Sequence, residues 1–372
     1  MSRYIYQRSD WPRFHWDQEG LALQLTAVRH RQGHLLGRME SLGFAQRDEA
    51  LLQTLTLDVL KSSEIEGEVL DAQQVRSYIA RRLGLDIAGL VPADRRVDGV
   101  VDMTLEATRD YAKPLTQERL SRWHASLFPA AGAAKLKVGA WRDDAKGPMQ
   151  VVSGPMGRER VHYEAPPAAR LPEEMTAFLD WANRTGDMDP VLRAAAAHLW
   201  FVTIHPFDDG NGRIARAIAD WALARSEDTP RRFYSMSAQI RRERKEYYDI
   251  LERTQKGPLD ITEWMRWFLG CLDRAIAGTE VSLAAVFRKD GFWKTHAGLS
   301  LNERQRLMLN KLLDGFVGKL TSSKWSALAK CSQDTAQRDI VDLIDKGILA
   351  KDSAGGRSTS YSLKAPRPAA GR

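Results

Sequence analysis

After an aromatic-rich start at Trp11, Phe14 and Trp16, apolar residues recur at helical spacing in LALQLTAVRHRQGHLLGRME and EALLQTLTLDVL. This pattern predicts a helical region up to about Leu90. LTQERLSRWHASLF, from Leu115 to Phe128, predicts another helix with Thr116 as N-cap and a leucine/tryptophan face. The pattern then breaks. KVGAWRDDAKGPMQVVSGPMGRERVHYEAPPAARLP is rich in Gly and Pro and holds two β-branched runs, MQVVS and RVHYE, on either side of Gly-Pro-Met-Gly. It predicts a hairpin lying on a helical body. Helical spacing resumes in EEMTAFLDWANRT and in PVLRAAAAHLWFVTI, the latter apolar almost all round, as suits a helix buried in a core. IARAIADWALAR continues as helix, and more helices follow to about Ala277. FRKDGFWKTHAGLS reads as a linker, and the tail APRPAAGR as a frayed end.

Beyond that linker, TSSKWSALAKCSQDTAQRDIVDLIDKGILAKDSAGGRSTSYSLK reads as helix, turn, helix and two short strands joined by Ala-Gly-Gly-Arg. The order and size resemble a winged helix. Its second helix is expected to turn Ile340, Leu343 and Ile344 inward and Gln333, Thr335, Gln337 and Arg338 outward, with Arg357 on the wing. Such modules commonly place this helix in the DNA major groove. Asp334, Asp339, Asp342 and Asp345 weaken the positive charge here, so DNA and protein both stay open as partners.

At 372 residues the chain is too long for one ordinary core, and 43% hydrophobic residues indicate a well-buried fold. MSRYIYQRSDWPRFHWD has no apolar h-region and no later run is long enough to cross a bilayer, so the expectation is no membrane association. Cys271 and Cys331 are the only cysteines and lack metal-ligand spacing, which fits a cytoplasmic location. The net charge of +7 suits an anionic partner without specifying one.

The candidate chemistry lies in HPFDDGNGRIAR, from His205 to Arg216, which reads as helix, loop, helix. Gly210 and Gly212 permit close approach of backbone to a ligand, and a glycine-rich loop feeding a helix start points unpaired N–H groups at an anion. Arg213 and Arg216 share nearly one face of the first turn. Positive charge there opposes the helix dipole and makes sense beside a polyanion, which the arginine fork suits. Asp209 is an oxygen ligand of the kind Mg²⁺ takes alongside phosphates, and His205 can take a proton near neutral pH. Together these residues predict a phosphoryl- or nucleotidyl-transfer site. A polar turn alone would leave the paired arginines unexplained.

His-Pro-Phe-x-Asp-Gly-Asn-Gly-Arg-x-x-Arg resembles, without departure, the signature of the Fic-domain family. The resemblance extends from GAWR and the hairpin to the helices ending near Ala277. It implies a mainly α fold, a helical Fic core carrying a β-hairpin flap, and transfer of AMP from ATP to a Ser, Thr or Tyr hydroxyl of a target protein or of the chain itself. Carried over, His205 is the base and Phe207 a buried anchor. Asp209 holds Mg²⁺, Gly210, Asn211 and Gly212 form the anion hole with Asn211 also at the α-phosphate, and Arg213 and Arg216 bind the β- and γ-phosphates. The flap, Met149 to Glu164, docks the target by strand addition. Phosphocholine transfer is a remote variant.

A second segment, KSSEIEGEVL from Lys61 to Leu70, has in Ser63 and Glu66 the spacing of a helix-starting capping box. Beside the complete motif, Ser62-x-x-x-Glu66-Gly67 instead resembles the inhibitory helix of Fic proteins. That resemblance implies that Glu66 competes with the γ-phosphate for Arg216. His198 is expected to be a core histidine and His162 an exposed hairpin residue. QIRRERKEYYDIL reads as a solvated helix face, with Tyr247 or Tyr248 at the adenine.

The expected organisation is an N-terminal helical domain at 1–95, a Fic core at 96–280 and a winged-helix domain at 295–365. The leading reading is a self-restrained adenylyltransferase, with a homodimer among the assemblies considered. De-AMPylation in the same site, and a DNA-binding regulator using the core as nucleotide sensor, are the alternatives.

Overall fold

The computed structural model describes residues 3–87, 89–129, 136–145, 147–155, 157–184, 186, 188–316, 318–352 and 359–364. Arg357 of the expected wing and the tail APRPAAGR lie outside the described residues. Contacts divide the chain into two compact units, Met1–Val281 and Ser282–Arg372.

The first unit opens with α1 (Gln18–Glu40), α2 (Phe44–Ile65), α3 (Ala72–Leu83), α4 (Arg95–Arg109) and α5 (Gln117–Leu127). Strands β1 (Gln150–Ser153) and β2 (Arg160–Glu164) follow, then α6 (Leu171–Asn183), α7 (Pro190–Ile204), α8 (Asn211–Glu227), α9 (Met236–Arg242), α10 (Arg244–Gln255) and α11 (Thr262–Ser282). Side-chain oxygens cap the starts of most of these helices. Asp17, Asp71, Asp94, Thr116, Asp189 and Ser235 accept backbone N–H groups at the starts of α1, α3, α4, α5, α7 and α9. By contrast, α8 starts on Gly210 with no side-chain cap, so its first N–H groups are left for another acceptor.

The core is built around α7, which packs along α8. As its apolar pattern predicts, α7 is buried nearly all round, from Val191 to Ile204. A helix so enclosed delivers the residue after it to a fixed place, and that residue is His205. The flap strands β1 and β2 pair antiparallel, with an irregularity between Val151 and Val152. No helix among the described residues is long and apolar enough to cross a membrane.

The second unit contains α12 (Ala284–Thr295), α13 (Glu303–Leu313), α14 (Ser322–Ala329), α15 (Gln333–Asp345) and the antiparallel pair β3 (Leu349–Lys351) and β4 (Tyr361–Leu363). One sequence expectation is corrected here. FRKDGFWKTHAGLS is not a linker: most of it is α12, and Phe292 and Trp293 pack on the core formed by Met308, Leu309, Trp325, Ile340 and Leu343. The aromatic residues after Gly291 gain more by burial than one glycine costs a helix. Two of the four aspartates of α15 are paired within this unit. Asp339 is 5% exposed and paired with Arg304 at 2.8 Å, and Asp342 pairs with Lys346.

Close approach of α4 and α5 requires Gly99, where a Cβ would stand 1.8 Å from the Ser126 carbonyl oxygen. Gly99→Ala is expected to destabilise the first unit by about 1–3 kcal/mol, the range for overpacking a core. A thermal melt followed by near-ultraviolet circular dichroism checks this, and an unaltered midpoint would contradict the packing described.

Candidate active site

His205 ends α7 in the left-handed region, with φ 53° and ψ 59°. For a residue with a Cβ this conformation needs support from its surroundings, and Arg142 supplies it. Its buried guanidinium donates from Nε to the His205 carbonyl at 2.8 Å and from Nη2 to the Pro166 carbonyl, while its N–H donates to the Pro206 carbonyl. On the imidazole, Nδ1 donates to the Val202 carbonyl at 3.2 Å, so Nε2 carries the lone pair. Burial pushes its pKa down to about 4, outweighing the hydrogen bond to Val202. The ring is therefore a neutral base at physiological pH.

The loop after His205 is held from below. Phe207 is fully buried, stacked on the His124 ring at 4.2 Å and against Trp141 at 4.8 Å. The side chain of Asn211, the residue expected at the α-phosphate, closes the loop. Its Oδ1 accepts the Phe207 N–H at 3.0 Å and its Nδ2 donates to the Phe207 carbonyl at 2.8 Å. Gly210 takes φ 78°, and a Cβ on it would press on Leu127 and Phe128. Asp209 sits beside it, with Oδ1 accepting the Gly210 N–H.

Arg213 and Arg216 follow in the first turn of α8, and each side chain is only 2% exposed. Both meet carboxylates from the end of α2. Arg216 pairs with Glu66 at 2.8 Å and also donates from Nε to Ser62 Oγ at 3.0 Å and from Nη2 to the Ser62 carbonyl at 2.9 Å. The Ser-x-x-x-Glu spacing thus puts both partners of one guanidinium a helical turn apart. Despite burial, which opposes it, the Glu66 charge raises the Arg216 pKa above its ordinary value. Arg213 pairs with Glu68 at 2.7 Å.

This segment is not a helix start, so the capping-box reading is corrected: Glu66 is the C-cap of α2. The chain turns there by a Schellman motif. The Gly67 N–H donates to the Glu64 carbonyl, the Glu68 N–H donates to the Ser63 carbonyl, and Gly67 has φ 85°. Glycine is needed at 67 to make this reversal, which brings the second carboxylate to Arg213. Arg244 completes the end of α2 by donating to the Ile65 carbonyl at 2.8 Å.

A cavity of about 480 Å³ lies in front of these groups. Its lining includes Glu66, His205, Asp209, Gly212, Tyr247 and Tyr248, together with flap residues. Gly212 shows how close the carboxylate comes, since a Cβ there would stand 2.2 Å from Glu66 Oε1. The expected site residues His205, Asp209, Gly210, Asn211 and Gly212 line this cavity, whereas Arg213 and Arg216 do not and are paired with Glu68 and Glu66. His198 is a core histidine, bonded through Nε2 to the Tyr247 hydroxyl at 2.9 Å.

Sequence reasoning missed Glu68, Arg142 and Arg244. The first carried a signal, since two arginines three apart invite two carboxylates. The other two act on backbone carbonyls, for which no sequence pattern exists. His162, expected as an exposed hairpin residue, is instead held between Ser153 and Glu252.

Gly212→Ala is expected to drive the Glu66 carboxylate off α8, at about 1–3 kcal/mol of overpacking. Hydrogen exchange would then be roughly tenfold faster at the amides of residues 64–70. Unchanged exchange in that segment would refute the seating of Glu66 on the helix start.

Residues 114–223 match the Fic/DOC family, and residues 4–85 match a domain of unknown function, DUF4172. The chain is 35% identical over 120 residues to "Protein adenylyltransferase Fic" of Nematostella vectensis, a match covering 31% of this chain and 26% of that protein. To "Protein adenylyltransferase fic-1" of Caenorhabditis briggsae it is 33% identical over 132 residues, covering 35% and 22%. The matches therefore span only about a quarter of the length of these relatives. A Fic family protein from Desulfovibrio desulfuricans shares the fold with a TM-score of 0.59 at 19% identity, over 95% of this chain and 98% of that one. A Fic domain containing signaling protein from Bacteroides thetaiotaomicron shares it with a TM-score of 0.52, also at 19% identity, over 69% and 97%. The Fic/DOC match runs from just before α5 into α8 and so contains the flap, His205 and both arginines. The chain is a Fic-domain protein.

Proposed function

We propose that this protein transfers AMP from ATP to a hydroxyl side chain of a target protein or of itself, and that the end of α2 restrains the transfer. The observation that carries this reading is the occupation of two buried arginines at an uncapped helix start by Glu66 and Glu68. Buried guanidinium groups at the positive end of a helix suit a polyanion, and here carboxylates of the same chain take its place. The names of the relatives, protein adenylyltransferases, point to ATP as the polyanion.

In the transfer, His205 Nε2 accepts the proton of the target hydroxyl as its oxygen attacks the α-phosphorus, and pyrophosphate leaves. The Val202 carbonyl holds the imidazole in the tautomer this needs, and Arg142 holds the backbone that carries it. The N–H groups at the start of α8 take the negative charge of the phosphates, and Tyr247 and Tyr248 on the cavity wall offer the base an aromatic surface. Asp209 would hold Mg²⁺, which neutralises phosphate charge when bound. One carboxylate beside a phosphate cradle fits that ion, since magnesium completes its shell with phosphate oxygens and waters. Among the described residues no cluster of three His, Cys, Asp or Glu offers an all-protein metal cage.

Glu66 restrains the reaction because a carboxylate on Arg216 leaves the γ-phosphate without its partner. ATP bound that way is out of line for attack at the α-phosphorus. Incubation with labelled ATP and Mg²⁺ tests the reading. Glu66→Gly is expected to raise labelling of lysate proteins or of the chain on the order of tenfold, an ordinary coupling for a switch. His205→Ala in that background is expected to lower transfer to lysate proteins by about 10²–10⁴-fold, the usual worth of a general base. No gain from Glu66→Gly would sink the proposal.

The pKa of His205 gives a further expectation. Because burial lowers it to about 4, the neutral base persists as pH falls and is lost only near that value. For Glu66→Gly, kcat/KM for transfer should stay level from pH 8 to pH 6, where an ordinary imidazole with a pKa of about 6.5 would already cost rate. An inflection near neutrality would contradict the burial assigned to the ring.

A further inference from the structure

The flap carries a second constellation of hydroxyl, imidazole and carboxylate. Ser153 Oγ at the end of β1 lies 2.6 Å from His162 Nε2 on β2, and His162 Nδ1 lies 2.6 Å from Glu252 Oε2 on α10. The carboxylate fixes the direction of its own bond and, with it, the tautomer of the neutral ring. Burial alone would raise the Glu252 pKa, but hydrogen bonds from Lys256, His162 and Arg160 hold it at about 2. As a carboxylate it can only accept, so His162 Nδ1 bears the hydrogen, and in the neutral ring Nε2 is then the acceptor of the Ser153 proton. Arg160 and Lys256 both engage Oε1, leaving Oε2 to the imidazole. A base oriented by a carboxylate and bonded to a hydroxyl is the arrangement that activates a serine.

Fastening the flap to α10 would not require the hydroxyl. The pairs of Arg160 and His162 with Glu252 already tie β2 down, and Ser153 adds nothing to that tie because it belongs to the other strand. Ser153 is exposed, and it lines the same cavity as His205 and the start of α8. A nucleotide held by α8 would therefore present its phosphates to a cavity wall that contains this serine.

We propose that Ser153 is an activated nucleophile and a modification site of the chain itself, accepting AMP from ATP bound in this cavity. The inference rests on the adenylyl-transfer reading and adds to it a named acceptor with a base of its own, His162, beside the His205 that serves target proteins. In the step, Ser153 Oγ bonds to the α-phosphorus while the bond from that phosphorus to the oxygen bridging the β-phosphate breaks. Pyrophosphate leaves with the electron pair, the hydroxyl proton passes to His162 Nε2, and Glu252 stabilises the imidazolium formed.

The test uses the full chain with Glu66→Gly, incubated with Mg²⁺ and ATP beside a cell lysate, with sites mapped by tandem mass spectrometry. An adenylyl group on Ser153 is expected. Adding His162→Ala is expected to lower Ser153 occupancy about a hundredfold, as loss of a general base does, and free imidazole is expected to restore part of it. A role confined to holding the flap would give no such rescue. Labelled lysate proteins with unmodified Ser153 would overturn this inference and leave the transfer reading standing. Absence of labelling anywhere would overturn both. Ser153 occupancy indifferent to His162→Ala would overturn the relay.

Discussion

The pair of Arg216 with Glu66 is the contact on which the rest of the site depends. Arg216 is buried on α8 with its guanidinium shared between Ser62 and Glu66, so one side chain binds the end of α2 to the start of α8. Removing charge from either partner leaves the other uncompensated in a poorly solvated place, which is far costlier than an exposed pair would suggest. A second pair, Arg213 with Glu68, repeats the arrangement with a more exposed carboxylate. The two differ in what can release them. Glu68 is 46% exposed and competes with water, whereas Glu66 is 30% exposed and faces the cavity. The pair of Arg213 with the more exposed Glu68 is the weaker of the two.

Most of the site's chemistry was legible because it is encoded by contiguous residues. HPFDDGNGRIAR places its base, carboxylate, glycines and arginines within one loop and the helix turn after it, and α7 is recognisable as a buried helix that delivers them. Periodicity also located the flap, since its β-branched runs stand out in a helical chain. What could not be read depends on contacts far apart in sequence. Arg142 holds the backbone around His205 through three carbonyls or carbonyl partners, and Arg244 holds the end of α2, yet neither interaction uses a side-chain pattern. The direction of KSSEIEGEVL was similarly hidden. Ser-x-x-Glu fits the first turn of a helix and also fits the last, and only the position of Gly67 with positive φ separates them.

His162 shows the same limit from another side. A histidine on a Gly-rich hairpin with polar neighbours reads as exposed, because its own strand offers it nothing. Its partners come from elsewhere, Glu252 ninety residues downstream on α10 and Ser153 across the hairpin. Glu252 in turn is spaced four residues before Lys256, a pairing that suggests a solvated helix face. Only the fold reveals that this face is where the flap comes down.

The features that suit α8 for phosphate also explain why the chain occupies the site itself. A helix start with no side-chain cap leaves N–H groups unsatisfied, and two buried arginines there add like charges that repel each other and lack solvent. A site of that kind is stable only when an anion is present. Carboxylates supplied by α2 satisfy it with a contact that is strong enough to hold the empty protein together but lacks the several oxygens of a triphosphate. Gly212 makes the exchange workable, because with no Cβ the same space accepts either a carboxylate or a phosphate oxygen. Under the proposed function, restraint and catalysis would be two occupancies of one electrostatic requirement, and a sequence that builds such a helix start without Glu66 and Glu68 would have to satisfy its arginines by other means.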